Sequence, residues 1–119
     1  MERGLKPAAT YFLRSNTMKF QNKVFRATKK IPKGKVATYS QIAKIIGSPQ
    51  AARAVGNALN KNCDPKVPCH RVVRSDGFVG GFRWGGKAKI KKLKSEGVVI
   101  IDGMVNLEKY GISFRHLNN

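Results

Sequence analysis

Gly47-Ser48-Pro49 constrains this sequence most, because it cuts a helical stretch into two short pieces that cannot merge. A glycine closing a helical pattern takes the left-handed conformation that ends it, and proline has no amide with which to extend the helix before it. Upstream, Thr38 and Gln41 have capping-box spacing ahead of Ile42, Ala43 and Ile46, so a short helix follows the β-like piece Val36 to Thr38 and stops at Gly47. Downstream, Ser48 supplies an N-cap and Pro49 a first-turn proline for a helix from Gln50 to about Asn60. Two short helices joined through a glycine-containing turn predict a helix-turn-helix.

The flanking segments complete the outline. Phe20, Val24, Ala27 and Ile31 repeat at helical spacing behind a Thr17 N-cap, and Pro32 with Gly34 ends the run. Residues 1–16 have no sustained period and read as a loose arm, with Met18 an alternative start, which leaves 17–119 as a single domain. Arg71 to Val73 is strand-like and is followed by the turn pair Asp76-Gly77. In Lys87 to Glu96, Lys87, Lys91 and Lys94 share one helical stripe while Ile90 and Leu93 face a core. Val98 to Ile101 and Met104 to Leu107 flank Asp102-Gly103, a hairpin signal. The expected fold is α+β, mainly α: a winged-helix-like helix-turn-helix DNA-binding domain with a short β-hairpin.

Charge narrows the partner. The chain has 24 Lys or Arg against 6 Asp or Glu, a formal +18, on a chain that is 41% hydrophobic and so packs rather than staying disordered. Such a surface repels itself until an anion covers it, and nucleic acid does so with release of condensed counterions. A membrane is not expected, since the densest apolar run, Val98 to Ile101, is far short of the roughly 18 residues of a spanning helix. The stretch Pro7 to Leu13 is too short and interrupted for a secretory signal. Cys63 and Cys69 are too few for a disulfide framework, which fits a reducing compartment: cytoplasmic or nucleoid-associated in a prokaryote, nuclear in a eukaryote. On a wheel of the helix after Pro49, Ala51, Ala54, Val55, Ala58 and Leu59 fall on one side and Arg53, Gly56, Asn57 and Asn60 opposite. One side packs, and the other suits either solvent or a closely approaching DNA groove.

The chemistry concentrates between Asn62 and Arg71. Pro68 fixes the backbone before Cys69 and places it at a rigid junction of loop and strand. A thiol of pKa near 8.5 needs a base or cationic neighbours to be a useful nucleophile. His70 follows directly, although successive strand side chains alternate faces, so direct contact is not guaranteed and a water could bridge them. On residue type alone, a buried core cysteine is an equally open reading. Cys63, Cys69 and His70 lack the paired spacing of zinc sites, and no metal is expected.

Pro68-Cys69-His70-Arg71-Val72-Val73 resembles the active-site signature of the O6-alkylguanine-DNA alkyltransferases, also called methylated-DNA–protein-cysteine methyltransferases. The similarity extends to Ile31 through Tyr39, to Gly47 through Gly56, to Asn62, to Gly77 through Gly81, and to Leu93 through Gly97, in the family's order over about residues 18 to 105. The matched residues have no counterpart to the separate N-terminal domain many family members carry, so the resemblance implies a minimal single-domain form.

The resemblance implies a stoichiometric repair reaction in which Cys69 accepts the alkyl group of O6-alkylguanine, chiefly O6-methylguanine, with no cofactor. It implies that His70 acts as base through a water, that Glu96 orients the His70 ring, and that Asn62 braces the loop. Tyr39 would contact the flipped nucleotide and give a proton to the leaving guanine. Pro65, Val72 and the Gly81 to Gly86 loop, with Phe82 and Arg83, would wall the pocket, where backbone groups read the base edge. A guanine inside a duplex hides its O6, so the base must be extruded. Arg53 matches the finger that fills the vacated stack, while the small Ala51, Ala52 and Gly56 permit close approach to the minor groove beside Asn57. The stripe that carries Lys87 and Lys91 reads, from its spacing, as a solvated or phosphate-facing surface.

The implied partner is double-stranded DNA carrying O6-alkylguanine, bound by a monomer. Phe82, Arg83 and Trp84 depart from the common pattern at the pocket mouth, and Cys63 replaces a common proline. Two other readings stand beside transfer: a non-reactive damage-recognition protein, whose alkyltransferase-like relatives lack the acceptor cysteine, and a helix-turn-helix regulator.

Overall fold

The computed structural model describes residues 20–62, 64–80 and 86–118. The first helix, α1, covers residues 20–29 and buries Val24, Ala27 and Thr28, whose hydroxyl donates back to the Val24 carbonyl at 2.7 Å. It ends where the sequence places its stop: Pro32 offers no amide, and Gly34 turns the chain at φ 86°. Ile31 lies past the helix but is fully buried. Thr17 and the arm 1–16 fall outside the described residues.

Strand β1 (Ala37–Thr38) runs directly into α2 (Tyr39–Ile45). The capping box is formed, with the Gln41 amide donating to Thr38 Oγ1 at 3.0 Å and the Thr38 amide to Gln41 Oε1 at 2.9 Å. Gly47, at φ 84°, closes the helix. The next helix, α3 (Ala52–Asn60), starts two residues later than the Ser-Pro pair suggests. Ser48 is no N-cap: its amide donates to Ala43 O and its carbonyl accepts from Ala51 N, both at 2.9 Å, so Pro49 occupies the second position of a tight turn. The cap residue is Ala51, which has no side chain to offer.

A 3-10 turn at Cys69–Arg71 leads into β2 (Val72–Val73), which pairs in parallel with β1 in the register Ala37 to Val72 and Thr38 to Val73. Helix α4 spans Gly86–Ser95. Strands β3 (Ile100–Ile101) and β4 (Met104–Val105) form the expected hairpin, in which Asp102 and Gly103 both adopt positive φ, 53° and 77°. That pair of conformations matches the right-handed twist of the flanking strands. β4 ends sooner than the apolar run suggests, because the Asn106 side chain caps a further short helix, α5 (Leu107–Tyr110), before α6 (Phe114–Asn118).

The short β1–β2 ladder divides the interior. Ala37 and Val72 join a helical cluster with Val24, Ile42, Val55, Leu59 and Leu117, while Val36 and Val73 join a second cluster with Val79, Leu93, Val98 and Val105. Period-two alternation along an extended chain sends neighbours to opposite faces, so one ladder anchors the helix-turn-helix on one side and the hairpin on the other. The architecture is the mainly helical winged-helix type expected. Among the described residues, no helix is long and apolar enough to cross a membrane.

Candidate active site and DNA-binding face

Cys69 opens the 3-10 turn rather than a strand, and the turn is closed by Arg71 N donating to Pro68 O at 3.0 Å. Its side chain is half-buried against the helical cluster. Asn62, just past α3, donates from Nδ2 to Cys69 Sγ at 3.0 Å and to Asp64 O at 3.0 Å, while its Oδ1 accepts from Asp64 N at 2.9 Å. One amide thus fixes both the loop and the sulfur. The thiol can donate to Leu59 O at 3.7 Å. Burial pushes the Cys69 pKa up, opposed by the Asn62 hydrogen bond and by the positive charges of Lys89 and Lys92. The resting sulfur is therefore a thiol, in a setting that already holds a donor for its anion.

His70 and Arg71 converge on Glu96, just beyond α4. His70 Nε2 lies 2.9 Å from Glu96 Oε2, and Arg71 grips the same carboxylate with Nε to Oε1 at 3.0 Å and Nη2 to Oε2 at 2.7 Å. Arg71 Nη1 also donates to Ile31 O at 2.8 Å, tying the site to the end of α1. Partial burial works to raise the Glu96 pKa, but the Arg71 and His70 hydrogen bonds outweigh it and bring it to about 2. Burial lowers the His70 pKa against the pull of Glu96. At neutral pH the ring is then uncharged, and an ionised Glu96 obliges Nε2 to carry the hydrogen. Nδ1 keeps the lone pair of a base.

Tyr39, the first residue of α2, receives a hydrogen bond at its hydroxyl from Lys89 Nζ at 3.2 Å. Lys89 is 6% exposed, and burial lowers its pKa to about 8, partly countered by Cys69. Burial, with the nearby Cys69, raises the Tyr39 pKa. The phenol therefore keeps its proton, and since its oxygen already accepts from Lys89, that proton is directed elsewhere.

Beside Tyr39 opens a groove of about 550 Å³ that runs along α3 past Ala52, Arg53, Gly56 and Asn57. Arg53, Asn57 and Asn60 are exposed, as the wheel predicts. A Cβ on Gly56 would stand 3.7 Å from the Tyr39 ring, an ordinary contact, so the bare glycine narrows the helix toward the groove rather than relieving a clash.

One expectation needs correcting. Ala54 is exposed rather than packed, while Val55, Ala58 and Leu59 fill the core, with Ala51 half-buried at its edge. The Val72 side chain is fully buried in the helical cluster, facing inward from the β1–β2 ladder. Pro65 is exposed in the loop before Cys69, and Lys87 and Lys91 are exposed on α4. Phe82, Arg83, the rest of 81–85 and Cys63 lie outside the described residues.

The structure adds Arg71 and Lys89 to the site. Lys89 had a legible signal: it sits four residues before the buried Leu93, on the apolar stripe of α4.

The model of the DNA-binding domain of 6-O-methylguanine DNA methyltransferase matches residues 19–98. A methylated-DNA–protein-cysteine methyltransferase of Methanosarcina acetivorans is 48% identical over 79 residues, 66% of this chain and 51% of that protein. One from Kluyveromyces lactis is 45% identical over 78 residues, 65% of this chain and 41% of that protein. The chain thus spans about half or less of the length of these curated relatives. Among solved structures, Schizosaccharomyces pombe Atl1 bound to damaged DNA containing O6-carboxymethylguanine superposes with a TM-score of 0.75 at 35% identity, covering 80% of this chain and 95% of that one.

Proposed function

This chain belongs to the 6-O-methylguanine DNA methyltransferase family through that family's DNA-binding domain, and from this premise we propose that it flips O6-alkylguanine, chiefly O6-methylguanine, out of duplex DNA and moves the alkyl group irreversibly onto Cys69. The observation that carries the reading is the Asn62 amide 3.0 Å from Cys69 Sγ beside an uncharged His70 held by Glu96. A nucleophile, a base and an orienting carboxylate stand in the order that activated thiols require.

The reaction divides among these side chains. His70 Nδ1 takes the thiol proton through a water, and the resulting imidazolium is balanced by Glu96. The Asn62 amide steadies the thiolate as it attacks the alkyl carbon, the carbon–O6 bond breaks, and the electron pair leaves with the guanine. Tyr39 returns a proton to that guanine, and the Lys89 ammonium beside it offsets the charge left on the phenol oxygen. Cys69 ends as a thioether, which no residue reverses, so each molecule acts once.

Flipping costs a few kcal/mol of stacking and pairing. Arg53 offsets this by filling the vacated stack, with Ala51, Ala52, Gly56 and Asn57 against the minor groove and Lys87 and Lys91 on phosphates. The protein works as a monomer, without metal or cofactor.

Recognition without transfer is the second reading, favoured by the match to nearly the whole of Atl1. Duplex DNA carrying O6-methylguanine separates the two. Transfer predicts loss of the lesion with wild type and tight binding without loss for Cys69→Ala. Binding without loss in both proteins supports recognition alone, and no preference for the lesion supports a regulator.

A further inference from the structure

Residues 3 to 63 contain no Asp or Glu, so the helix-turn-helix half of the domain has no carboxylate of its own. Its positive charge is nevertheless placed unevenly. Helix α3, the element assigned to the lesion, carries Arg53 as its single cation. Lys23, Arg26 and Lys29 sit on α1, Lys30 in the turn just past its end, and Lys33 and Lys35 on the loop behind it, all exposed except the half-buried Lys30.

The α1 cations form a surface of their own. Lys23, Arg26 and Lys30 line one cleft of about 210 Å³ between α1 and the end of α2, floored by Ala27, Ile45 and Ile46. The α3 groove is lined instead by Tyr39 and Ser40, at the opposite end of α2. Lys30 Nζ is held by Leu117 O at 3.2 Å, which fixes one end of the stripe. Lys44, in the last turn of α2, extends the exposed charge.

We propose that this α1 stripe is a second phosphate-binding surface, which seats a second DNA duplex while α3 engages the first, so that one molecule bridges two DNA segments. The reach suits a backbone. From residue 23 to 30 a helix rises about 10 Å, and a DNA strand places a charge about every 3.4 Å, so the stripe runs alongside about three phosphates. With no carboxylate in this half of the chain, nothing there favours a cationic or acid-pairing partner, and the apolar floor is too small for a protein helix to bury a face.

The proposal rests on the reading that α3 binds DNA, and its test separates the two. Undamaged duplexes carrying donor or acceptor fluorophores are mixed with Cys69→Ala protein, so alkyl transfer plays no part. Energy transfer between duplexes is expected to appear, to peak near one protein per two duplexes, and to fall with excess protein as each duplex saturates separately. The triple variant Lys23→Gln/Arg26→Gln/Lys29→Gln is expected to lose at least tenfold of the bridging signal while its affinity for one duplex falls less than threefold. A variant with Lys at all three positions should keep bridging.

Absence of bridging by a protein that still binds one duplex overturns the inference and leaves the function reading intact, whereas absence of single-duplex binding overturns that reading first. A signal that persists at excess protein points to protein–protein contact and overturns the inference. So does an equal loss of bridging and single-duplex affinity in the glutamine variant, which would place the stripe on the same duplex as α3. Phosphatidylglycerol vesicles binding through the stripe where a second duplex does not would overturn it as well.

Discussion

Asn62 donates to the Cys69 sulfur across 3.0 Å while the same side chain closes the loop between them through Asp64. The donor is therefore held by the chain's own turn and is in place before any substrate arrives. Hydrogen bonds to charged groups contribute about 1.5–3 kcal/mol, or about 10- to 100-fold in an equilibrium. Asn62→Ala should accordingly raise the Cys69 pKa further and slow its alkylation by iodoacetamide at pH 7 by about tenfold or more. An unchanged rate against pH would show that the amide serves only the loop.

Glu96 gives a stability signature as well as a rate effect. Its pKa lies near 2 in the folded protein, below the unfolded value of about 4.3, so its contribution is present above about pH 4.3 and is lost as pH falls through 2. The shift sets an upper bound of about 3 kcal/mol, reduced by solvent screening of a carboxylate near the surface. Acid unfolding followed by circular dichroism should therefore be less steep between pH 4 and 2 in Glu96→Gln than in wild type, and Cys69 alkylation at neutral pH should slow as His70 loses its orientation. Parallel acid transitions in the two proteins would contradict the assignment.

Much of this site could be read before any fold was known, and the boundary is instructive. The Thr38–Gln41 capping box and the Asp102-Gly103 hairpin depend on contacts within a few residues, so local spacing sufficed. Cys69, His70 and Glu96 were legible through the resemblance and not through periodicity, since Glu96 is 26 residues from His70. The start of α3 is not legible because Ser-Pro serves equally as a helix cap and as a turn, and it is the bond from Ala51 N to Ser48 O that closes the turn. Which face of the two-residue strand at Val72 is buried depends on its partner, here Ala37, and so is not legible locally. Arg71 carries no local signal of its role, which is to hold Glu96 with its guanidinium fork.

Lys89 should affect the leaving group more than the nucleophile. Lys89→Met is expected to slow transfer from O6-methylguanine by about tenfold or more while leaving iodoacetamide alkylation within about threefold, because iodide departs without a proton. The ammonium form prevails below its pKa of about 8, so wild-type transfer should lose this contribution as pH rises through 8, and the variant should lack that descent. Equal slowing of both reactions would place the charge on the sulfur instead.

Arg53 acts on the duplex and not on the chemistry. Arg53→Ala should weaken flipping, read by a fluorescent base analogue next to the lesion, while reaction with the free base O6-benzylguanine stays within about twofold. Binding by wild type should also fall steeply with salt, as phosphate contacts release counterions. Equal loss on duplex and free base would remove Arg53 from the stack.

The central claim is that one sulfur is consumed for each lesion erased. Mass spectrometry of the peptide containing Cys69, after incubation with excess duplex carrying O6-methylguanine, tests it most directly. The account predicts a gain of one methylene on Cys69, reaching one per protein molecule and matching the guanine restored. A lesion that disappears while Cys69 stays unmodified, or one that is bound indefinitely and never altered, would contradict it.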